Sequence, residues 1–164
     1  MIFKIKNHNL DLYNTLLRLS RNLYFYNKIN LKDAFETRIY LMFMHFSLIL
    51  IIYKRNKTNF SQALYDGFFH SIENNLRELG LGDVGVNKKM KDLNKIFYDI
   101  LLKINKSNDS LKINKDLIIK YFPQLKDSSS KEYDLFNEYF INFYDFCFEL
   151  HPETMIKDAL KFKV

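Results

Sequence analysis

The sequence contains no tryptophan, one cysteine, two prolines and four glycines among its 164 residues. A single cysteine excludes a disulfide framework or a thiolate metal cluster within one chain, and it fits a reducing compartment. So few glycines and prolines argue against a β-rich fold built on tight turns, whereas 48% hydrophobic residues argue against a disordered chain. We therefore expect a globular helical protein.

The sequence also lacks the motifs that carry catalysis. It has no Gly-x-Ser-x-Gly elbow, no Walker loop and no His-Glu-x-x-His zinc motif. The Asp-Asp-x-x-Asp motif of helical prenyl-transferring enzymes and the Glu-x-x-His pairs of di-iron bundles are missing too. Gly80, Gly82 and Gly85 have the wrong spacing for a dinucleotide-binding fingerprint. We expect no enzymatic activity, no cofactor and no small-molecule substrate.

The longest apolar stretch, from Ile39 to Tyr53, is closed by the charged residues Arg38 and Lys54. Because a membrane-spanning helix needs about 20 apolar residues, this stretch is predicted to form a buried central helix. The N-terminal residues have no uninterrupted apolar core or small-residue cleavage site of the kind found in secretory signals.

Hydrophobic residues recur elsewhere at three- and four-residue spacing, which predicts amphipathic helices. The predicted helices cover about 10–27, 33–55, a third that starts after Asn59 or Ser61 and ends at 79, 87–105, 115–122 and 131–150, with a short last helix ending near 162. Asp33 is placed to cap the second helix, with Glu36 in a capping box. The polar stretch 105–114 is predicted to be an exposed loop. The predicted fold is all-α: one domain over residues 1–164, a bundle of five to seven helices around the apolar one.

The net charge of +6 is unevenly distributed. Residues 1–91 hold 14 Lys and Arg against 7 Asp and Glu, whereas residues 92–164 hold 11 against 12. A basic N-terminal half fits an acidic protein partner, ribosomal RNA or an anionic membrane surface. It is equally typical of a soluble protein with lysine-rich faces.

Three polar residues, Asp66, His70 and Glu73, lie on one face of the third predicted helix, and this is the best metal-site candidate in the sequence. Such a stripe is more often solvated surface, so no metal is expected. His45 lies within the apolar helix and is predicted to be a core histidine bonded to a backbone or tyrosine group. Cys147 is predicted to be a buried packing residue.

The segment Leu76–Asp83 (LRELGLGD) and the segment Val86–Lys91 (VNKKMK) surround a glycine-bearing connector. These segments resemble the signature of the ubiquinol–cytochrome c chaperone family, and the resemblance covers about residues 12–104. Ser71 and the pair Asp99-Ile100 depart from the family pattern. Further matching positions are Leu12, Tyr13, Phe25, Tyr26, Asp33, Thr37, Arg38, His45, Ser61–Asp66, Phe68, Phe69, Phe97 and Tyr98.

The resemblance implies a non-catalytic chaperone that helps to assemble the cytochrome bc1 complex of the respiratory chain. The expected partner is newly made cytochrome b or another bc1 subunit; a ribosome is a further candidate, since mitochondrial relatives act near ribosomes. We expect a cytoplasmic location, either free or in peripheral contact with the inner membrane.

The connector is predicted to be a rigid bend that displays charged side chains to a partner. Positive charges in the first turn of the fourth helix would oppose the helix dipole at a cost of about 0.3–1 kcal/mol each. Such a cost is consistent either with a partner-binding use or with compensation by nearby aspartates. Arg38 is predicted to form an ion pair with Glu78 or Asp83, or else to contact the partner. The candidate partner-binding residues are Arg38, Arg77, Glu78, Asp83, Lys88, Lys89 and Lys91.

Two alternatives stay open on the sequence alone. The lysines that open the fourth helix, with Lys54, Arg55 and Lys57 at the end of the second, fit a ribosome- or RNA-binding module that attracts phosphates without reading sequence. A small helical metalloprotein or enzyme is the other alternative, and metal analysis of purified protein would test it.

Overall fold

The computed structural model describes the backbone of residues 2–104, 111–127 and 129–164, and the side chains of these residues from Asp11 onwards. Across these ranges the chain is helical, without strands, which confirms the all-α prediction. The seven α-helices are α1 Ile2–Ser20, α2 Phe35–Arg55, α3 Gln62–Glu78, α4 Asp83–Ile104, α5 Lys115–Tyr121, α6 Lys131–Phe148 and α7 Met155–Asp158.

Helix α2 is the centre of the bundle and packs against α1, α4 and α6. It is long and apolar enough to cross a membrane by length and composition alone, but 72% of its apolar window is buried against the other helices. Burial on nearly every side is typical of a core helix, so the prediction of a buried central helix is confirmed.

Polar caps fix the starts of three helices. The side-chain oxygens of Ser61, Asn114 and Ser130 each accept a hydrogen bond from the backbone N–H three residues further on, at distances of 3.3, 3.4 and 3.1 Å. These bonds satisfy N–H groups that the first turn of a helix leaves without partners. The predicted starts of α3, α5 and α6 agree with the structure.

The predicted start of α2 was wrong in its cap. Ala34, not Asp33, is the N-cap residue, and it makes no side-chain capping bond. Asp33 instead lies beside Arg38, with 3.4 Å between its carboxylate and the guanidinium Nε. The same ion pair corrects the prediction that Arg38 pairs with Glu78 or Asp83.

Helix α4 begins at Asp83, about one turn earlier than predicted. The carbonyl of Gly82 accepts from the N–H of Val86 at 2.9 Å, so the helical ladder starts directly after the connector. Lys88 and Lys89 therefore lie in the second turn. The predicted conflict of Lys88 and Lys89 with the helix dipole is wrong, because that effect is strongest in the first turn.

The first predicted helix is interrupted. Helix α1 ends at Ser20 and is followed by a π-helical turn, Tyr24–Lys28. The hydroxyl of Tyr26 donates to the carbonyl of Ser20 at 2.7 Å and so satisfies an acceptor at the helix end. The turn places Phe25, which is fully buried, in the core; periodicity alone does not show this change of direction.

Aromatic side chains fill the core in two groups. Phe25 meets Tyr139 and Phe140 of α6, with ring centroids 4.6 and 5.9 Å apart. On the other side of α2, Phe43 and Phe46 pack against α3 and α4; the Phe46–Phe97 centroids are 5.4 Å apart. Ring pairs of this kind add about 0.5–1.5 kcal/mol each beyond area burial.

Residues 105–110 of the predicted exposed loop 105–114 lie outside the described residues. The prediction was wrong further along, because Leu111 and Ile113 are buried, with 6% and 9% of their surface exposed. Their side chains join the same core as the helices.

Candidate partner-binding surface

The connector between α3 and α4 is a tight reversal closed by backbone bonds. The N–H of Leu81 bonds to the carbonyl of Leu76 at 3.3 Å, and the N–H of Gly80 to that of Arg77 at 3.0 Å. This pair of bonds is the Schellman arrangement, and Gly80 has the positive φ of 94° that it requires. The positive φ of Gly80 therefore closes the end of α3.

The reversal depends on fewer glycines than the connector contains. Gly85 lies inside α4, and a side-chain carbon there would make an ordinary 3.5 Å contact with Leu81. At Gly82 the space is open. Only Gly80 among the described glycines has a backbone conformation that other residues rarely adopt.

Apolar side chains project into solvent around the connector. Leu79, Leu81 and Val84 are 66%, 41% and 85% exposed. Exposed aliphatic residues scattered singly are ordinary, but three within six positions at one reversal form a local patch. We call Leu79, Leu81 and Val84 the connector patch.

A groove of about 540 Å³ adjoins the connector patch and has Leu79 in its wall. Its volume is in the range of ligand-binding clefts. The polar side chains that line it are those of Arg21, Arg38, Glu78, Tyr13 and Asn75. The hydroxyl of Tyr13 and the side-chain amide of Asn75 hydrogen-bond to each other. The groove, called the connector groove below, is lined by Tyr13, Leu17, Arg21, Phe35, Arg38, Ile39, Met42, Asn75, Glu78 and Leu79.

Arg38 is incompletely satisfied within this groove. Its Nε lies 3.4 Å from the Asp33 carboxylate, yet it is buried and makes no hydrogen bond of good geometry in the described part of the chain. A buried guanidinium nitrogen without a well-aligned acceptor is unfavourable. Arg38 therefore retains capacity for another acceptor, although it already has an ionic neighbour.

Three other residues predicted to bind a partner already form ion pairs within the protein. Arg77 contacts Glu73 at 3.0 Å and Asp83 at 3.7 Å, and Lys89 contacts Glu36 at 3.8 Å. Such exposed pairs contribute only about 0–1 kcal/mol each, so a charged partner can exchange for them at small cost.

The remaining predicted residues are more open. Glu78 lines the connector groove, while Lys88 and Lys91 project from α4; all three are exposed and make no ion pair within the described ranges. The structure thus brings Arg38, Glu78, Arg77, Asp83 and Lys89 to the connector end of the bundle, whereas Lys88 and Lys91 face outward along α4. Whether a partner contacts them stays a prediction.

His45 is a core residue, as predicted. Its Nδ1 lies 2.7 Å from the carbonyl of Leu41 and its Nε2 lies 2.9 Å from the hydroxyl of Tyr139. Because the carbonyl only accepts, Nδ1 carries the proton and Nε2 accepts from the tyrosine. Complete burial lowers the pKa of His45 to about 3, so the ring is neutral. Cys147 is also buried, as predicted, and burial raises the pKa of its thiol to about 12.

The metal-site candidate does not converge on a point. Asp66 accepts from the amide of Gln62 at 2.9 Å, and His70 lies 3.7 Å from Glu73, which also contacts Arg77. No group of three His, Cys, Asp or Glu side chains suited to a metal is found among the described residues.

The sequence did not point to the charged cluster around Asp99. The Asp99 carboxylate accepts from Lys103 and Lys120 at 2.9 Å each, and from the hydroxyl of Tyr121. Burial opposes its ionisation, but these donors together lower the pKa of Asp99 well below its usual range. The i, i+4 pair with Lys103 is visible in the sequence, whereas the contacts that fasten α5 to α4 need the fold.

Comparison with known proteins supports the resemblance found in the sequence. The family model described as Ubiquinol-cytochrome C chaperone matches residues 27–116, more than half of the chain. This range starts later and ends later than the segment 12–104 predicted from motifs. No curated protein sequence matches the chain.

The fold is similar to the crystal structure of the Cbp3 homolog from Brucella abortus. The match has a TM-score of 0.68 and 22% sequence identity, and it covers 95% of this chain and 93% of the other. At that identity the similarity shows the fold, including helices beyond the family match at both ends.

Proposed function

Because the chain belongs to the ubiquinol-cytochrome C chaperone family, we propose that it is a non-catalytic assembly factor for the cytochrome bc1 complex that binds newly made cytochrome b. The observation that carries the proposal is the connector end of the bundle, where a groove with apolar walls meets exposed aliphatic side chains. We place the protein in the cytoplasm, close to the inner membrane in which the complex is built.

An assembly chaperone must bind apolar client surface without burying its own in self-association. Leu17 and Phe35 are the half-buried apolar contacts in the connector groove, above Ile39 and Met42, which are only 3% and 1% exposed. Arg21 and Arg38 add positive charge, which attracts acidic or carbonyl groups of the client and keeps the open surface soluble. This mixture suits an apolar segment that carries a few polar groups.

The connector patch adds binding energy at the edge of the groove. Fully burying a leucine side chain contributes about 1.5–3 kcal/mol. Since Leu79 is 66% and Leu81 41% exposed, covering both is expected to contribute roughly 2–3 kcal/mol. That strength suits a transient complex that must later release its client.

Site-specific photocrosslinking tests the proposed client. A photoreactive amino acid replaces Leu79 in one strain and Phe148, the control position, in another. Phe148 is 41% exposed and packs on Tyr144, which lies beside Arg55 at the far end of α2. The two positions are separated by roughly 25 Å along α2. We expect newly made cytochrome b to be captured from position 79 and not from position 148. Capture of ribosomal proteins alone from position 79 would favour the ribosome-binding alternative instead.

A genetic test addresses assembly itself. Deletion is expected to lower the amount of bc1 complex while cytochrome b message stays normal. The variant Leu79→Asp/Leu81→Asp should fail to restore the complex, whereas Phe148→Asp, a matched change at the opposite end, should restore it. Normal bc1 levels after deletion would refute the proposed function.

A further inference from the structure

Helix α4 presents a straight line of exposed residues, of which only Val84 also belongs to the connector patch and none lines the connector groove. At 100° per residue, positions 84, 88, 91, 95, 98 and 102 fall within an arc of about 80°. They extend over about 27 Å at 1.5 Å per residue. The α4 stripe, as we call this line, consists of Val84, Lys88, Lys91, Lys95, Tyr98 and Leu102, all of them exposed.

The centre of the stripe is positively charged and without internal partners. Lys88, Lys91 and Lys95 make no ion pair within the described ranges, in contrast to Lys89 and Lys103 on other faces of the same helix. The aspartates of α4 lie outside the arc. Asp83 contacts Arg77, and Asp99 is held by Lys103 and Lys120. The line therefore carries three free positive charges and no negative one.

Apolar groups stand at both ends of this basic centre. Val84 is 85%, Tyr98 52% and Leu102 67% exposed, although the opposite face of α4 offers buried positions. Tyrosine and lysine are suited to the membrane–water interface, because their apolar parts bury while the polar tips stay hydrated. Aliphatic groups in line with lysines gain little from a phosphate backbone, which supplies charge but no apolar surface.

The shape of the surface favours a lipid partner over a peptide. The stripe is the outward face of a helix, whereas an amphipathic peptide helix is typically received in an apolar groove. A straight row of side chains can touch a flat surface along its whole length. We propose that the α4 stripe is a peripheral contact site for an anionic lipid bilayer, with the lysines at the headgroups and Tyr98 and Leu102 at the acyl boundary.

Vesicle sedimentation with purified full-length protein tests this site without any client, so its outcome is independent of the proposed function. Vesicles contain phosphatidylcholine alone or with an equal amount of phosphatidylglycerol. The test variant is Lys88→Gln/Lys91→Gln/Lys95→Gln. The control is Lys126→Gln/Lys131→Gln/Lys163→Gln, which removes three exposed lysines elsewhere. Both variants have the same net charge, three units below the wild-type +6.

We expect wild-type protein to bind only the vesicles that contain phosphatidylglycerol, and less so as salt is raised. Each lysine near an anionic surface strengthens binding about fivefold, the factor that corresponds to ~1 kcal/mol. The test variant should therefore lose on the order of 100-fold in partitioning, and the control less than tenfold. Equal losses in the two variants, or no binding by wild type, would overturn the proposal; circular dichroism verifies that each variant is folded.

A fluorescence measurement locates the contact. Because the chain has no tryptophan, Leu102→Trp introduces a single tryptophan at the end of the stripe, and it can be excited apart from the 11 tyrosines. Its emission should shift to shorter wavelength with phosphatidylglycerol vesicles, and not with phosphatidylcholine vesicles or polyglutamate. An unchanged emission from vesicle-bound protein, or tighter binding to polyglutamate or ribosomal RNA than to vesicles, would overturn the assignment.

Discussion

The neutral histidine at the centre of the bundle should make the stability of the protein depend on pH in a defined window. In the folded protein, burial lowers the pKa of His45 to about 3. In an unfolded chain a histidine has a pKa of about 6.5. Between these values the unfolded state binds a proton that the folded state does not, so stability falls as the pH decreases from about 6.5 towards 3.

The size of the effect follows from the two pKa values. At pH 5 the unfolded histidine is almost fully protonated while the folded one is neutral, which removes about 2 kcal/mol from the free energy of unfolding relative to pH 7. For a chain of this size that corresponds to a decrease of roughly 4–8 °C in Tm. Other titrating groups add their own pH dependence, so a variant must isolate the contribution of His45.

The double variant His45→Leu/Tyr139→Phe serves this purpose. It removes the histidine together with the hydroxyl that donates to it, so no buried tyrosine hydroxyl is left without its acceptor. Urea unfolding of wild type and variant at pH 5, 6 and 7 gives the free energies. Between pH 7 and pH 5 the free energy of unfolding should fall by about 2 kcal/mol less in the variant than in wild type.

The control is His151→Leu, which removes an exposed histidine. The pH dependence of the free energy of unfolding should decrease clearly more in the double variant than in His151→Leu. If wild type and the double variant lose the same stability between pH 7 and pH 5, then His45 is not a neutral buried group, and the reasoning is refuted.

Three further predictions concern other parts of the bundle. Gly80→Ala should destabilise the protein by about 1–2 kcal/mol in urea unfolding, because its φ is 94°; Gly82→Ala, in open space, should cost clearly less, and equal losses would contradict the connector geometry. Asp99→Asn should lower the free energy of unfolding by about 1 kcal/mol, because it weakens the hydrogen bonds from Lys103, Lys120 and Tyr121. Amide exchange should become faster in α5 more than in α6; unchanged exchange in α5 would argue against the cluster. Cys147, whose thiol pKa is raised to about 12 by burial, should react with a thiol reagent only as fast as the protein opens, so rapid labelling of native protein would be inconsistent with its burial.

Much of the helical architecture follows from local sequence. The starts of α3 and α6 are set by Ser61 and Ser130, whose hydroxyls accept the N–H bonds of the first turn. The end of α3 is set by Gly80, where positive φ is required. These features act within a few residues, so a sequence pattern contains their full physical cause.

The errors arose where a distant or competing partner decides. Asp33 has the right type and position for a cap, but its carboxylate lies beside Arg38 instead. The π-helical turn brings Phe25 against Tyr139 and Phe140, more than a hundred residues later. Periodicity cannot show such a contact.

Part of the candidate partner-binding surface could be predicted from the sequence, and part could not. The connector and its charged residues were visible as a motif, and the six stripe positions on α4 have a helical spacing that the sequence also contains. The connector groove was not predictable. It exists only because α1, α2 and α3 bring Arg21, Arg38 and Glu78 to one place.

The position of α6 has a consequence for how the protein is made. Tyr139, Phe140 and Phe143 pack around His45 and Phe25. Phe162 in turn packs against Tyr139 and Phe143. During synthesis α6 leaves the ribosome after α1 to α5. Until α6 emerges, the side of α2 that holds His45 lacks these aromatic contacts, so the nascent chain exposes apolar surface that α6 later buries.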